Sequence, residues 1–288
     1  MGYGTWSPSE FKSYSYSAGR SVLDDGSLDI KTSSAAQVYK QRGLNSMLNP
    51  YGVTRLCADS EEHPNTVPVI LALDVTGSMG QTAVEVAAEL NKIMTRLYEE
   101  VNDVEFMIMG IGDFAYDDAA LQVSQFESDI RIAEQLDKLW FEFGGGGNTY
   151  ESYTAAWAFA NTQVNLDCWK RGKKGIIITM GDEELNPYIP PNAYNTYVGQ
   201  QYSDTELNTS QLYDAVKDRF DIYHINVHHR TRGNEENIAT FRAVIGGDHV
   251  YDVPVNGVAQ TIVDIIENAA GSNSRGSAPA VEFGEVTW

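Results

Sequence analysis

Asp74, Thr76 and Ser78 place one carboxylate and two hydroxyls at alternate positions of a single short stretch, Asp74-Val75-Thr76-Gly77-Ser78. At that spacing their oxygens can converge on one point, and convergent oxygens suit a hard cation. Mg²⁺ takes oxygen ligands in near-octahedral geometry at about 2.0 to 2.1 Å and usually keeps several waters, so a partial set from one loop is the start of such a site. The same residue types are also the preferred caps of a helix N-terminus. Taken alone, the five residues leave both readings open.

The elements around them decide what they can do. An apolar run, Val69-Ile70-Leu71-Ala72-Leu73, precedes Asp74. Beyond Gly80, Val86, Leu90, Ile93, Met94, Leu97 and Val101 recur at helical spacing, which predicts a helix over 81–101 with one buried face. A strand, a tight turn and a helix start therefore hold the three oxygens. A second apolar run over 104–112 ends at Asp113, as the first ends at Asp74. Residues 121–126 alternate like an edge strand, and Ile130, Ala133, Leu136, Leu139 and Trp140 mark a helix. Gly144-Gly145-Gly146-Gly147-Asn148-Thr149 then leads into a helix over 151–162. Gly175 to Thr179 reads as a further buried strand, closed by Met180-Gly181-Asp182-Glu183-Glu184. A Pro-rich loop (Pro187, Pro190, Pro191) is followed by a helix over 210–220, strands over 221–227 and 249–253, and a last helix over 255–270. Apolar strands alternating with helices predict an α/β fold, a doubly wound, mostly parallel sheet with helices on both faces. In such sheets ligands bind beyond the carboxyl ends of the strands, where the strand order reverses.

Asp-x-Thr-x-Ser after a buried strand, followed by the glycine run with Thr149 and by an acidic loop after a third strand, resembles the von Willebrand factor type A family and its metal-ion-dependent adhesion site. The likeness is to the cytosolic bacterial or phage type, and covers roughly residues 65–270. It implies a Rossmann-like sheet in which the first strand lies beside the strand that follows the glycine loop and its helix. Asp74, Thr76, Ser78, Thr149 and Asp182 would then surround one crevice. The family pattern makes Thr76 and Ser78 direct hydroxyl ligands of Mg²⁺, with Mn²⁺ or Ca²⁺ as alternatives, and Thr149 a ligand that engages in the partner-bound state. Asp74 and an acid on the third loop would act largely through water. Neutral direct ligands leave the cation's charge uncompensated, so it can attract a partner's carboxylate. One position departs from the pattern: the family's last Asp directly precedes Gly, whereas here Met180 does, with Asp182 and Glu183 next as the candidates to replace it.

Other features carry less chemistry. The glycine run lacks the Gly-x-x-x-x-Gly-Lys-Ser/Thr pattern of a nucleotide loop. Glycines there suit a close backbone approach to the crevice. His224, His228 and His229 read as ordinary strand-end histidines, because no further spaced ligand completes a zinc set. Twenty Lys+Arg against forty Asp+Glu give a formal charge of −20, which disfavours nucleic acid and anionic membrane as partners. The densest basic cluster, Lys170-Arg171-Gly172-Lys173-Lys174, is expected on a helix-to-strand connection.

Cys57 and Cys168 lie far apart in the sequence and read as free thiols, with a single disulfide as the alternative. Without a signal-like or ~18-residue apolar segment, the expected location is cytoplasmic. Residues 1–64 read as an N-terminal extension or arm, 65–270 as the domain and 271–288 as a tail. The arm, with its Ser13-Tyr14-Ser15-Tyr16-Ser17 alternation, is expected to be extended or disordered, the aromatics favouring an arm that docks. A short helix is expected over 34–41. In the tail, 281–288 has the near alternation of a half-buried strand, which suits docking or self-association by strand addition.

The function expected is a non-enzymatic, Mg²⁺-dependent protein-interaction module that binds an acidic group of a partner. Cytosolic members of the family work beside ring ATPases or in multiprotein assemblies, which is the class of partner the resemblance implies. The alternative is a phosphatase-like hydrolase using Asp74 as nucleophile. Such enzymes want a second Asp two residues on, where this chain has Thr76.

Overall fold

The computed structural model describes residues 4–142, 150–228 and 234–275. The chain opens with α1 (Pro8–Ser17), the single turn α2 (Ala35–Val38) and the short strand β1 (Arg55–Cys57). Then follow β2 (Val67–Asp74), α3 (Gly80–Glu100), β3 (Val104–Ile111), β4 (Leu121–Glu127) and α4 (Arg131–Leu136). The middle holds β5 (Tyr150–Glu151), α5 (Thr154–Gln163), β6 (Val164–Leu166), β7 (Gly175–Gly181), β8 (Glu184–Leu185) and β9 (Tyr188–Ile189). It continues through α6 (Pro191–Val198), β10 (Leu207–Asn208), α7 (Thr209–Val216) and β11 (Phe220–His228), and closes with α8 (Asn234–Ile245), β12 (Val250–Pro254) and α9 (Val258–Arg275).

The main sheet has six strands in the order β12-β11-β7-β2-β3-β4, parallel except for the antiparallel edge strand β4. Its central strands are apolar along their whole length because both faces are covered. Val69, Leu71 and Leu73 of β2 pack with α3 (Leu90, Met94, Leu97) and α9 (Ile262, Ile266). Ile70 and Ala72 point to the opposite face, among Trp157 and Phe159 of α5, Leu212 of α7 and Phe241 of α8. The doubly wound architecture expected from the sequence is therefore present. Its order reverses at β2, from which the chain moves to β3 on one side and later to β7 on the other.

The N-terminal residues are built differently from the extended or disordered arm expected. Residues 8–17 are helical: the Ser7 side chain accepts from the Glu10 N–H, and Pro8 opens the helix with its φ already suited to it. Phe11 and Ser15, four apart, are the buried positions, so helical spacing overrides the local Ser/Tyr alternation. Trp6, Phe11, Leu28, Ile30, Val38 and Tyr39 share one apolar cluster with β2 and α3. The extension also contains β1, which pairs in parallel with β6.

Besides α1, two helices are not marked by the sequence pattern. Pro191 starts α6 inside the Pro-rich loop, and α8 occupies the interval before β12. The helix expected over 130–140 is confined to α4, and the one over 151–162 starts only at Thr154 because Tyr150 and Glu151 pair with β8. The basic cluster lies where expected, on a 3₁₀ turn over Asp167–Arg171 and the link to β7. There it helps line a 440 Å³ cavity at the amino ends of β2 and β7. Cys57 and Cys168 are both free and buried.

Candidate functional site

The register pairs Leu73 of β2 with Met180 of β7, so the loops that begin at Asp74 and Gly181 leave the sheet side by side. Asp74 is only 1% exposed. Its Oδ1 accepts from the Thr76 N–H at 2.8 Å and from Thr76 Oγ1 at 2.5 Å. Thr76 Oγ1 lies 3.4 Å from Ser78 Oγ, and Ser78 Oγ donates to Asp182 Oδ1 at 2.9 Å. A continuous run of side-chain oxygens thus crosses from one strand end to the next. The helix-capping reading does not hold, because α3 begins at Gly80 behind Met79 and no side chain caps it.

The third loop is shaped by two residues that the sequence reading missed. Tyr153, fully buried at the head of α5, donates through its hydroxyl to Asp74 Oδ2 at 3.0 Å and accepts from the Glu183 N–H at 3.4 Å. A Cβ on Gly181 would stand 2.5 Å from Tyr153 Cζ and closer still to its oxygen, so only glycine fits there. Asn237 of α8 donates to the Asp182 carbonyl at 2.5 Å. Asp182 is in consequence partly buried and tethered, where an exposed loop was expected. Met180 is fully buried in the cluster with α3 and α9, which makes it packing.

Of the expected site residues, Asp74, Thr76, Ser78 and Asp182 come together. Thr149 and the glycines 144–147 lie outside the described residues. The two residues after Thr149, Tyr150 and Glu151, pair in parallel with Glu184 and Leu185 and so run beside the third loop. Asp113, at the end of β3, is buried as well, its Oδ1 accepting from the Ala115 N–H at 2.8 Å. Glu142 forms a bridge with Thr76 and caps the amides of Asp118 and Ala119.

The crevice is strongly acidic. Burial raises the Asp74 carboxyl to about 7; its hydrogen bonds from Thr76 pull it back, and the Asp182 charge adds to the rise. Burial, then the Asp182 and Glu184 charges, raise Glu183 to about 7. Glu151 is driven up to about 10 by burial and then by Asp74, Asp117 and Asp113. Among the described residues no Lys or Arg pairs with Asp74, Asp117, Glu151 or Glu183.

Every donor in this set is oxygen, which fits a hard cation and not a thiophilic one. Among the described residues no three His, Cys, Asp or Glu side chains are placed to hold an ion by themselves. A cation here would therefore depend on the hydroxyls of Thr76 and Ser78, with the carboxylates reaching it through water.

The histidines are not equivalent. His224 is not at a strand end: it sits in the middle of β11, wholly buried, its ring stacked on Phe241 at 3.4 Å and its Nδ1 2.9 Å from Thr179 Oγ1. Burial holds it neutral by pushing its pKa well down. His228 does end the strand, with Nδ1 3.1 Å from Asp252 Oδ1. His229 lies outside the described residues, as do the tail residues 278–288.

No protein-family profile and no curated protein sequence matches this chain. Among solved structures it is similar to the pilus adhesin SpaC from Lactobacillus rhamnosus GG, in its open conformation, at 12% identity and a TM-score of 0.48. That match covers 76% of this chain and 31% of SpaC. It is similar to the vWF domain of the type V pili tip protein Mfa5 from Porphyromonas gingivalis at 12% identity and a TM-score of 0.48, covering 74% of this chain and 98% of that domain. A third likeness is to proximal thread matrix protein 1 from the mussel byssus, at 13% identity, a TM-score of 0.44, and coverage of 72% and 46%. These are distant likenesses of shape, and they do not say which residues act.

Proposed function

We propose that this chain is a cation-dependent protein-interaction module. Mg²⁺ sits in the crevice on Thr76 and Ser78, with Asp74 and Asp182 holding its waters, and Thr149 joins when a partner is bound. The partner supplies a carboxylate to the ion's open position and belongs to a multiprotein assembly, such as one built on a ring ATPase, in the cytoplasm. The observation that carries this reading is the run of oxygens from Asp74 through Thr76 and Ser78 to Asp182, which joins two strand ends at the reversal point and caps no helix.

A phosphoester hydrolase acting through Asp74 has less support. Both oxygens of that carboxyl already accept hydrogen bonds, from Thr76 and from Tyr153. Thr76 also stands where a second acid would be needed. The test is calorimetric titration of Mg²⁺ and Mn²⁺ into the full chain and into Asp74→Asn. Saturable binding that the substitution abolishes supports the reading, and absence of binding to the unsubstituted chain refutes it.

A further inference from the structure

Glu151 stands outside the run of oxygens from Asp74 to Asp182. It is 6% exposed, and its Oε2 is buried without a hydrogen-bond partner among the described residues. The backbone fixes where it stands. Glu151 pairs with Leu185 beyond the third loop, and the next residue, Ser152, donates its N–H to the Gly112 carbonyl at 3.4 Å and accepts at Oγ from the Phe114 N–H at 3.3 Å. Residue 151 thus lies between the loop after β3 and the loop after β7, buried and within electrostatic reach of Asp74.

Two of the acids around it are already engaged. Asp74 Oδ1 and Oδ2 take Thr76 and Tyr153, and Asp117 Oδ2 accepts from the Asp113 N–H at 2.7 Å. Glu151 Oε2 is the one carboxyl oxygen of the four residues Asp74, Asp117, Glu151 and Glu183 that is buried with nothing to bind. A buried acceptor left unpaired is unfavourable, and a carboxyl placed among other carboxyls without a cation is more so. Both conditions are relieved by a divalent ion and its water.

We infer that Glu151 is a further carboxylate that, with Asp182, balances a divalent cation held at Asp74, Thr76 and Ser78, and so makes up for the acid that the third loop lacks at Met180. This rests on the cation-site reading above. Because Glu151 acts from the interior side, it binds a water of the ion, not the ion itself. It keeps the ion in the crevice at the cost of part of the ion's pull on a partner's carboxylate.

The experiment is Mg²⁺ and Mn²⁺ titration of the full chain and of Glu151→Gln, with melting curves in chelator. Loss of a carboxylate that supports a metal's ligands weakens affinity about tenfold or more, which is the expected result. In chelator the variant should melt no lower than the unsubstituted chain, since the amide is as neutral as the protonated carboxyl it replaces. Glu105→Gln is the control: its Oε2 is also buried and unpartnered, but at the amino end of β3, and it should leave ion affinity unchanged. Equal ion affinity in Glu151→Gln and the unsubstituted chain overturns the inference while sparing the site. No ion binding to the unsubstituted chain overturns both. If Glu151→Gln does not fold, hydrogen exchange on the unsubstituted chain decides: added Mg²⁺ should protect the amides of 150–152 together with those of 74–80. Protection of 74–80 alone refutes the role of Glu151.

Discussion

Gly181→Ala tests the packing that closes the crevice. The added Cβ would meet Tyr153 Cζ at 2.5 Å and Cε1 at 2.7 Å, with the hydroxyl nearer than either. Contacts that short do not persist, so something must move. The phenol cannot slide freely, because its ring stands edge-on to His224 and Phe241 at 5.4 Å from each. Displacing it breaks the bond to Asp74 Oδ2 and the one from the Glu183 amide. Overpacking a filled core costs about 1 to 3 kcal/mol. Losing a hydrogen bond to a buried carboxyl adds about 1.5 to 3 kcal/mol. A domain of this size loses about 2 to 4 °C of Tm per kcal/mol, so we predict a fall on the order of 10 °C in a thermal melt followed by circular dichroism. Tyr153→Phe removes the nearest conflict but leaves the ring carbons, so the double variant should recover part of the loss as a measurable coupling energy. A Tm for Gly181→Ala within about 2 °C of the unsubstituted chain would falsify the placement of Tyr153 against the end of β7.

Three further predictions concern the ion. Mg²⁺ should raise the melting temperature and chelator should reverse it, since a ligand at about 100 times its Kd stabilises by about 2.7 kcal/mol; superimposable curves would refute a bound ion. In chelator, stability should fall as pH rises from about 4 to about 7, because native Asp74 and Glu183, both raised to about 7, keep protons that the unfolded chain has already lost. Glu151, Asp117, Glu105 and Glu127 are raised too, so Asp74's own share is the part of the slope that Asp74→Asn removes; an unchanged slope would sink the assignment. Asp182→Asn should weaken Mg²⁺ binding with little change of fold, whereas loss with Glu183→Gln and none with Asp182→Asn would move the role one residue on.

How far the fold could be read from the sequence follows from where its elements are buried. β2, β3 and β7 are covered on both faces, so they show as unbroken apolar runs; α3 keeps one buried face only in its second half, because Thr82 to Asn91 are buried all round beneath the N-terminal residues. α6 and α8 were invisible for an opposite reason. Their buried residues are few and separated, Tyr194 and Val198 in one and Ile238, Phe241 and Ile245 in the other, within otherwise polar stretches. They fall at helical spacing, but are too few to stand out from the polar residues between them. α1 was misread because serine and tyrosine at period two resemble a strand, while the decisive signals, Ser7 as cap and Pro8 at the first turn, lie just outside that repeat.

The site divides along the same line. Asp74, Thr76, Ser78 and Asp182 announce themselves by residue type and by their place after apolar runs. Tyr153, Glu151 and Asn237 do not, because each acts from an element assigned to packing or not assigned at all. Tyr153 looks like one more aromatic before an apolar helix, yet its hydroxyl takes the Asp74 oxygen that faces away from Thr76. Asn237 belongs to the helix that went unread, yet it fixes the loop carrying Asp182. Met180 joins the two levels. An apolar residue where an acid is expected removes a charge from the third loop: Met180 packs on the sheet face that carries α3 and α9, while Tyr153, bonded to Asp74, packs on the other face. A sequence motif records which oxygens sit on one loop; that Glu151 comes to lie beside the third loop depends on strands β5 and β8, two residues each, that no periodicity could reveal.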